Sequence, residues 1–243
     1  MDIPFLWETF LSLIAALPLT LQLAASAIIL GAFLALGLAL CRLSGILPLD
    51  WFARAYIFAF RGTPLLVQIF LIYYGLSQFR GLRQTIFWSV LREPYWCAVI
   101  ALMLNTAAYS AEIIRGGLLS VPFGQIEAAR ACGMSRFMAF RRITLPLAIR
   151  QALPGYSNEM ISMVKATSLA SIITIMEVTG VAARIISETY RAIEVFIVAG
   201  AIYLAINFIL TRIVAFAEYR LSPHLRQPAA LPAPLSATST GAA

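Results

Sequence analysis

The stretch TFLSLIAALPLTLQLAASAIILGAFLALGLALC, residues 9–41, runs for 33 residues without a charge. A helix needs ~20 apolar residues to cross the hydrocarbon of a bilayer, so one crossing fits here with residues to spare. Pro18 divides the run. It predicts a short interfacial segment over 1–18 and a first span over about 19–40. The run is too long, and its leading flank too poor in basic residues, to read as a cleaved secretory signal.

The same pattern recurs along the chain. After the turn SGILPLD (44–50) come apolar spans over about 51–76, 94–114, 151–175 and 195–212, separated by polar stretches at 81–93, 115–150 and 177–194. The whole chain is 61% hydrophobic and 12% charged, with a mean hydropathy of +0.86. So few charges could not coat a soluble globule. The fold class is an all-α integral membrane protein with five transmembrane helices in a body spanning 19–221. From 222 onward the chain is mostly Pro, Ala, Ser and Thr, which cannot build a core and predicts a disordered tail over 222–243.

The chain carries 18 basic and 11 acidic residues, and Lys165 is the only lysine. Five spans put the termini on opposite sides of the membrane. With the N-terminus outside, the inner segments hold ten arginines: 42, 54, 115, 130, 136, 141, 142, 150, 220 and 226. The outer ones hold five: 80, 83, 92, 184 and 191. Basic residues collect on cytoplasmic loops, so the N-terminus is placed outside, and the 115–150 loop and the C-terminus inside. The arginines lie between apolar spans rather than in a patch with stacking partners, which argues against nucleic-acid binding.

Catalytic and metal chemistry finds little material. Cys41, Cys97 and Cys132 share no short ligand spacing, and the one histidine, His224, lies in the tail. No metal site and no cofactor are expected. G-x-S-x-G and H-E-x-x-H are absent, as is the phosphate-binding loop G-x-x-x-x-G-K-[ST], so the chain is read as a non-catalytic subunit that does not itself split ATP.

Polar residues within spans mark partners or pathways, because charge in a bilayer is costly. Glu159 lies ~12 Å into the fourth span and Lys165 ~9 Å further on, at 1.5 Å per residue. Their side chains point about 120° apart, so they do not form a helical pair. Asn158, Ser162, Lys165 and Ser168 share a broad face with Glu159 at its edge, and a carboxylate and an ammonium set apart suit the two ends of an amino acid. Asn105 in the third span is a further candidate. Each has a structural alternative, pairing with another helix or subunit. Glu112 and Arg115 read as a surface ion pair at i,i+3. Arg61, Gly62, Thr63 and Pro64 read as a kink or break in the second span, with gating as the functional alternative.

The densest signal is EAARACGMS (127–135), followed by ITLP (143–146). Small residues crowd a short helix, Gly133 ends it, and Ser135 can cap the next one. An alanine-rich helix can lie close to another surface, and packing on its own bundle is the structural alternative. The pattern resembles the cytoplasmic loop of ABC importer permeases. RGTPLLVQ (61–68), NTAAY (105–109) and VKATSLAS (164–171) resemble motifs of the polar amino-acid uptake permeases, and the details are most similar to the M-type subunit of histidine/lysine/arginine/ornithine and of octopine and nopaline systems. The resemblance covers roughly 10–221.

Several things follow from the resemblance as expectations. The fold is of the type I ABC importer kind, with cytoplasmic coupling helices in which Glu127, Ala128, Ala129, Arg130 and Gly133 meet the ATPase. The partners are an ABC ATPase pair, a sister permease subunit (identical or not), a periplasmic solute-binding protein and the lipid bilayer. The location is a bacterial inner membrane, with the 1–18 segment periplasmic, and the solute is a polar amino acid, a basic one foremost, or an opine. The competing classes are an intramembrane enzyme, for which no embedded histidine is available, and a stand-alone channel or secondary transporter. The latter often shows internal repeats, and none is visible here.

Overall fold

The computed structural model describes residues 2–86 and 88–221; the 222–243 segment lies outside them. Every regular element described is helical: α1 (Ile3–Leu43), α2 (Leu47–Gly62), α3 (Leu65–Phe70), α4 (Arg80–Arg83), α5 (Trp88–Leu91), α6 (Pro94–Leu119), α7 (Phe123–Ala131), α8 (Arg136–Ala139), α9 (Leu145–Ala166), α10 (Val178–Thr189) and α11 (Ala192–Leu221). A π turn (Leu71–Gly75) and a 3-10 turn extend α3, another π turn (Phe140–Thr144) joins α8 to α9, and a 3-10 segment (Thr167–Ile173) extends α9. Three helices, α1, α6 and α11, are long and apolar enough to cross a membrane alone. Two bent pairs bring the number to five if each pair is one span.

Pro18 does not divide the first run. α1 passes straight through it as a single helix of 41 residues, ~60 Å long and about twice the hydrocarbon thickness. Proline removes one hydrogen bond, whereas ending the helix in an apolar setting would strand several backbone groups. The fourth helix also starts earlier than the 151–175 span, at Leu145, with Pro146 in its first turn, where a proline's missing N–H has no helical partner to lose.

α1 and α6 form the centre, and small residues let them meet closely. Ala27, Gly31, Ala35 and Ala39 recur every fourth residue on one face of α1 and are buried. They face Ala98, Ala101, Ala107, Ala108 and Ala111 of α6, all fully buried. A Cβ at Gly31 would collide with Cγ2 of Thr106. Lipid tails are as apolar as leucine, so close van der Waals packing drives such pairing. The opposite surfaces, including Phe33 on α1 and Leu204, Phe208 and Ile213 on α11, are exposed and suited to lipid.

The polar 177–194 stretch folds as α10, set at 46° to the preceding helical limb. Thr174, at φ 69°, turns the chain, and Glu177 caps α10 by accepting from Gly180 N at 2.8 Å. Its other oxygen accepts from the Tyr203 hydroxyl of α11 at 2.8 Å, and Thr20 of α1 accepts from Val178 N at 3.2 Å. A fully buried carboxylate is thereby satisfied from two sides, and three helices are joined at one point.

Gly180 sits against that bend, where an added Cβ would collide with the Ile175 carbonyl. Gly180→Ala is expected to cost about 1–3 kcal/mol through forced backbone movement, lowering the thermal midpoint of the detergent-solubilised protein. Gly200→Ala, where a Cβ meets nothing within 4 Å, is expected to leave that midpoint unchanged.

Candidate functional site

The second apolar run breaks at Thr63–Pro64, where its two halves diverge by 106°. Pro64 has no N–H, so the carbonyl of Phe60 loses the donor that a continuing helix would supply. The Gln68 amide replaces it: Nε2 donates to Phe60 O at 2.8 Å, Thr63 O at 3.1 Å and Thr63 Oγ1 at 2.9 Å. Three oxygens around one nitrogen fix which way that amide faces. Its own oxygen accepts from Asn105 Nδ2 at 3.0 Å, and Asn105 also reaches Phe60 O at 3.5 Å. Asn105 is buried and engaged in this clasp between the break and α6. Gly62, Thr63 and Pro64 form the break itself.

The neighbouring α6 residues serve the next two contacts. Arg61, in the last turn of α2, lies over the Tyr109 ring with its guanidinium carbon 5.0 Å from the centroid. Thr106 Oγ1 donates to Glu159 Oε1 on α9 at 2.9 Å. Glu159 is half-buried in the α6–α9 seam.

Asn158, Ser162 and Lys165 stand exposed on the adjoining face of α9. Among the described residues no ion pair involves Glu159 or Lys165, as their angular separation predicts. Ser168 falls in the 3-10 segment and donates to the Lys165 carbonyl at 2.7 Å. The structure thus gathers Arg61, Thr106, Tyr109 and Glu159 and leaves Asn105 and Ser168 in local structural bonds.

At the other end of α2, an ion network ties the α1–α2 turn to α6. Arg42 bridges Asp50 at 2.7 Å and Glu112 at 3.2 Å, Arg54 pairs with Asp50 at 2.8 Å, and Arg115 with Glu112 at 2.7 Å. The i,i+3 pair read from the sequence is therefore one arm of a larger network. Arg54 and Arg42 each donate to one oxygen of the Asp50 carboxylate, at 2.9 and 2.7 Å. An open cavity of about 530 Å³ lies between this network and the break, lined by Arg42, Arg54, Arg61, Tyr109 and Glu112 among others.

The EAARACGMS segment folds as anticipated locally. α7 ends in a left-handed cap: Gly133, at φ +78°, donates to Arg130 O at 2.9 Å, and Met134 N donates to Ala129 O at 3.1 Å. This is the Schellman pattern. A Cβ at Gly133 would meet nothing within 4 Å, so the position demands glycine for its conformation and not for space. Ser135 caps α8 by accepting from Met138 N at 3.3 Å. Glu127, Ala128, Arg130 and Gly133 are exposed, whereas Ala129 is buried and faces inward. Phe123 and Phe137 flank the cap and are 68% and 73% exposed. Sequence reasoning passed over them because apolar residues between apolar spans do not stand out.

Residues 27–223 match the family described as binding-protein-dependent transport system inner membrane component. The chain belongs to this family. It is 66% identical to the octopine transport system permease protein of Rhizobium meliloti, over 92% of this chain and 91% of that one. It is 56% identical to the nopaline transport system permease protein of Agrobacterium fabrum, over 93% and 94%, and 46% identical to the arginine ABC transporter permease protein of Escherichia coli, over 70% and 76%. A solved structure, described as an amino acid ABC transporter with histidines, superposes with a TM-score of 0.80 at 37% identity, covering 90% of this chain and 99% of that one. The methionine ABC transporter in an inward-facing form shares the fold at 19% identity, with a TM-score of 0.62 over 93% and 100% of the chains. The protein is thus a permease subunit of an ABC importer, a transport component of an inner membrane that works with an ATPase and a solute-binding protein.

In this permease, Gln68→Leu would remove the donor of the Thr63 carbonyl and leave the Phe60 carbonyl only the long 3.5 Å contact from Asn105 in an apolar setting. A loss of about 1–3 kcal/mol is expected, read as a lower thermal midpoint. Combining Gln68→Leu with Asn105→Leu is expected to cost less than the sum of the two, because both disable one clasp.

Proposed function

We propose that this permease carries arginine or an opine related to it through a path along the exposed α9 face, with Glu159 as the group that favours the solute's cation. Arginine, octopine and nopaline share a guanidinium group, and relatives named for all three are 46–66% identical to this chain. The observation that carries the reading is Glu159 itself. It is a half-buried carboxylate steadied by one neutral hydroxyl, Thr106, at 2.9 Å and, among the described residues, left without an ion-pair partner. A carboxylate so placed is free to take a guanidinium bidentately. Asn158, Ser162 and Lys165 extend the polar face toward the sister permease, whose α9 would complete the path. Arg61 and the break beside it act on the gate.

The ATPase docks on α7 through Glu127, Ala128, Arg130 and Gly133, with Ala129 fixing the helix to the bundle from within. The N-terminus and the 1–18 end of α1 lie in the periplasm, and the 115–150 loop, the C-terminus and the 222–243 tail in the cytoplasm. The arginine bias supports this orientation, and α1 is long enough for its first turns to project beyond the bilayer. The complex holds two permeases, two ATPases and one binding protein, with the bilayer as the remaining partner.

Glu159→Gln keeps size and hydrogen bonding and removes the charge. Uptake of labelled arginine and octopine into proteoliposomes is expected to fall at least tenfold, with assembly on gel filtration and basal ATPase activity intact. Wild-type uptake would reject the assignment, and failed assembly would make Glu159 a structural partner instead. At the docking helix, Gly133→Val forces a β-branched residue to φ +78°, an outlier conformation for such residues. It is expected to abolish substrate-stimulated ATPase activity while membrane insertion persists. Gly133→Asn, which tolerates that conformation, is expected to retain most coupling.

A further inference from the structure

A second surface lies where α1, α6 and α9 end beside the docking loop. Leu36, Leu40 and Leu43 on one side of α1 are each more than a third exposed. They wall a groove completed by Leu119 of α6, Phe140 of the π turn and Ile149 of α9. The groove encloses about 360 Å³, and eleven of its twelve lining residues are apolar, Thr144 being the twelfth. The π turn Phe140–Thr144 supplies two lining positions and carries Arg141 and Arg142 between them. Both arginines are exposed, and among the described residues neither has a carboxylate within ion-pair distance. Arg42, Arg54 and Arg115 at the nearby network are, by contrast, all engaged with Asp50 and Glu112.

We propose that this groove holds an acyl chain of an anionic phospholipid from the cytoplasmic leaflet, with the headgroup phosphate on Arg141 and Arg142. An apolar trough this size, walled by the ends of three long helices, suits a hydrocarbon chain better than a water-facing protein surface. The turn that lines it also carries two exposed guanidiniums, and either one complements a phosphate that lies beside the turn. Basic segments beside spans attract anionic lipid in the same way, and a zwitterionic headgroup carries its own cation and gains less. The turn concerned joins α8 to α9, so a bound lipid braces the stem that carries the docking loop. The leaflet assignment rests on the proposed orientation of the 115–150 loop.

The test uses the assembled importer in nanodiscs of equal phosphatidylglycerol and phosphatidylcholine, with native mass spectrometry counting retained lipids. Phosphatidylglycerol is expected to be retained several-fold over phosphatidylcholine. Arg141→Gln with Arg142→Gln should return that ratio to the bulk value. Ile149→Trp, filling the groove from an exposed position, should remove the retained lipid of both kinds, while Ile209→Trp on the outer face of α11 should change neither. Equal retention of the two lipids by the unaltered complex, an unchanged ratio in the double variant, or lipid retained undiminished by Ile149→Trp would each overturn the proposal. Gln125→Cys in a chain with Cys41, Cys97 and Cys132 replaced separates the two readings. Labelling of position 125 from the periplasm would overturn the leaflet assignment without altering the lipid ratio.

Discussion

Inside a bilayer a backbone carbonyl has no water to accept from, and Pro64 makes one such carbonyl at Phe60 by withholding its N–H. Gln68 and Asn105 answer that deficit, and the rest of the site depends on how they do it. Gln68 stays on the broken helix and Asn105 on α6, so repairing the break also sets the angle between them. One turn of α6 then does three jobs in succession: Asn105 closes the clasp, Thr106 holds Glu159, and Tyr109 lies under Arg61. The break of 106° is thus hydrogen-bonded rather than frayed.

The helices around this clasp are held by two kinds of contact. Along their length, small residues such as Ala27, Gly31 and Ala35 bring α1 against α6 until the backbones nearly touch, where dispersion gains most. At bends and ends, buried polar groups meet: Glu177 with Tyr203 and Gly180, and Thr20 with Val178. The division follows from where a helix has backbone groups to satisfy. In mid-helix there are none, and at every bend there are several.

The loop around α7 is built differently. Its cap is settled by Gly133 and Ser135 within a few residues, and Glu127, Arg130, Phe123 and Phe137 stand exposed around it. The same holds for Arg141 and Arg142. Arg42, Arg54 and Arg115 pair with Asp50 and Glu112 and brace the α1–α2 turn against α6, whereas among the described residues Arg130, Arg136, Arg141, Arg142 and Arg150 of the loop form no ion pair. A subunit whose neighbours are an ATPase and a membrane is expected to distribute its charge in this way, because a group already neutralised at home offers little to a partner.

By itself the sequence determined the class and most of the spans, since length and hydropathy depend on composition alone. It also determined the break at Gly62–Pro64, the stop at Gly133 and the cap at Ser135, because each is decided by residues within one helical turn. It misread Pro18, where a local rule for ending helices yields to the cost of stranding backbone in an apolar setting. Only the tertiary structure decided that Asn105 belongs to Gln68, 37 residues away, and Glu159 to Thr106, 53 away. Only it extended Glu112–Arg115 to Arg42, turned Ala129 inward and raised Glu177 from a loop boundary to a buried junction. Those pairings are set by which helix faces meet, and helix faces meet through small residues spread over α1 and α6. No short window of sequence contains both sides of such a contact.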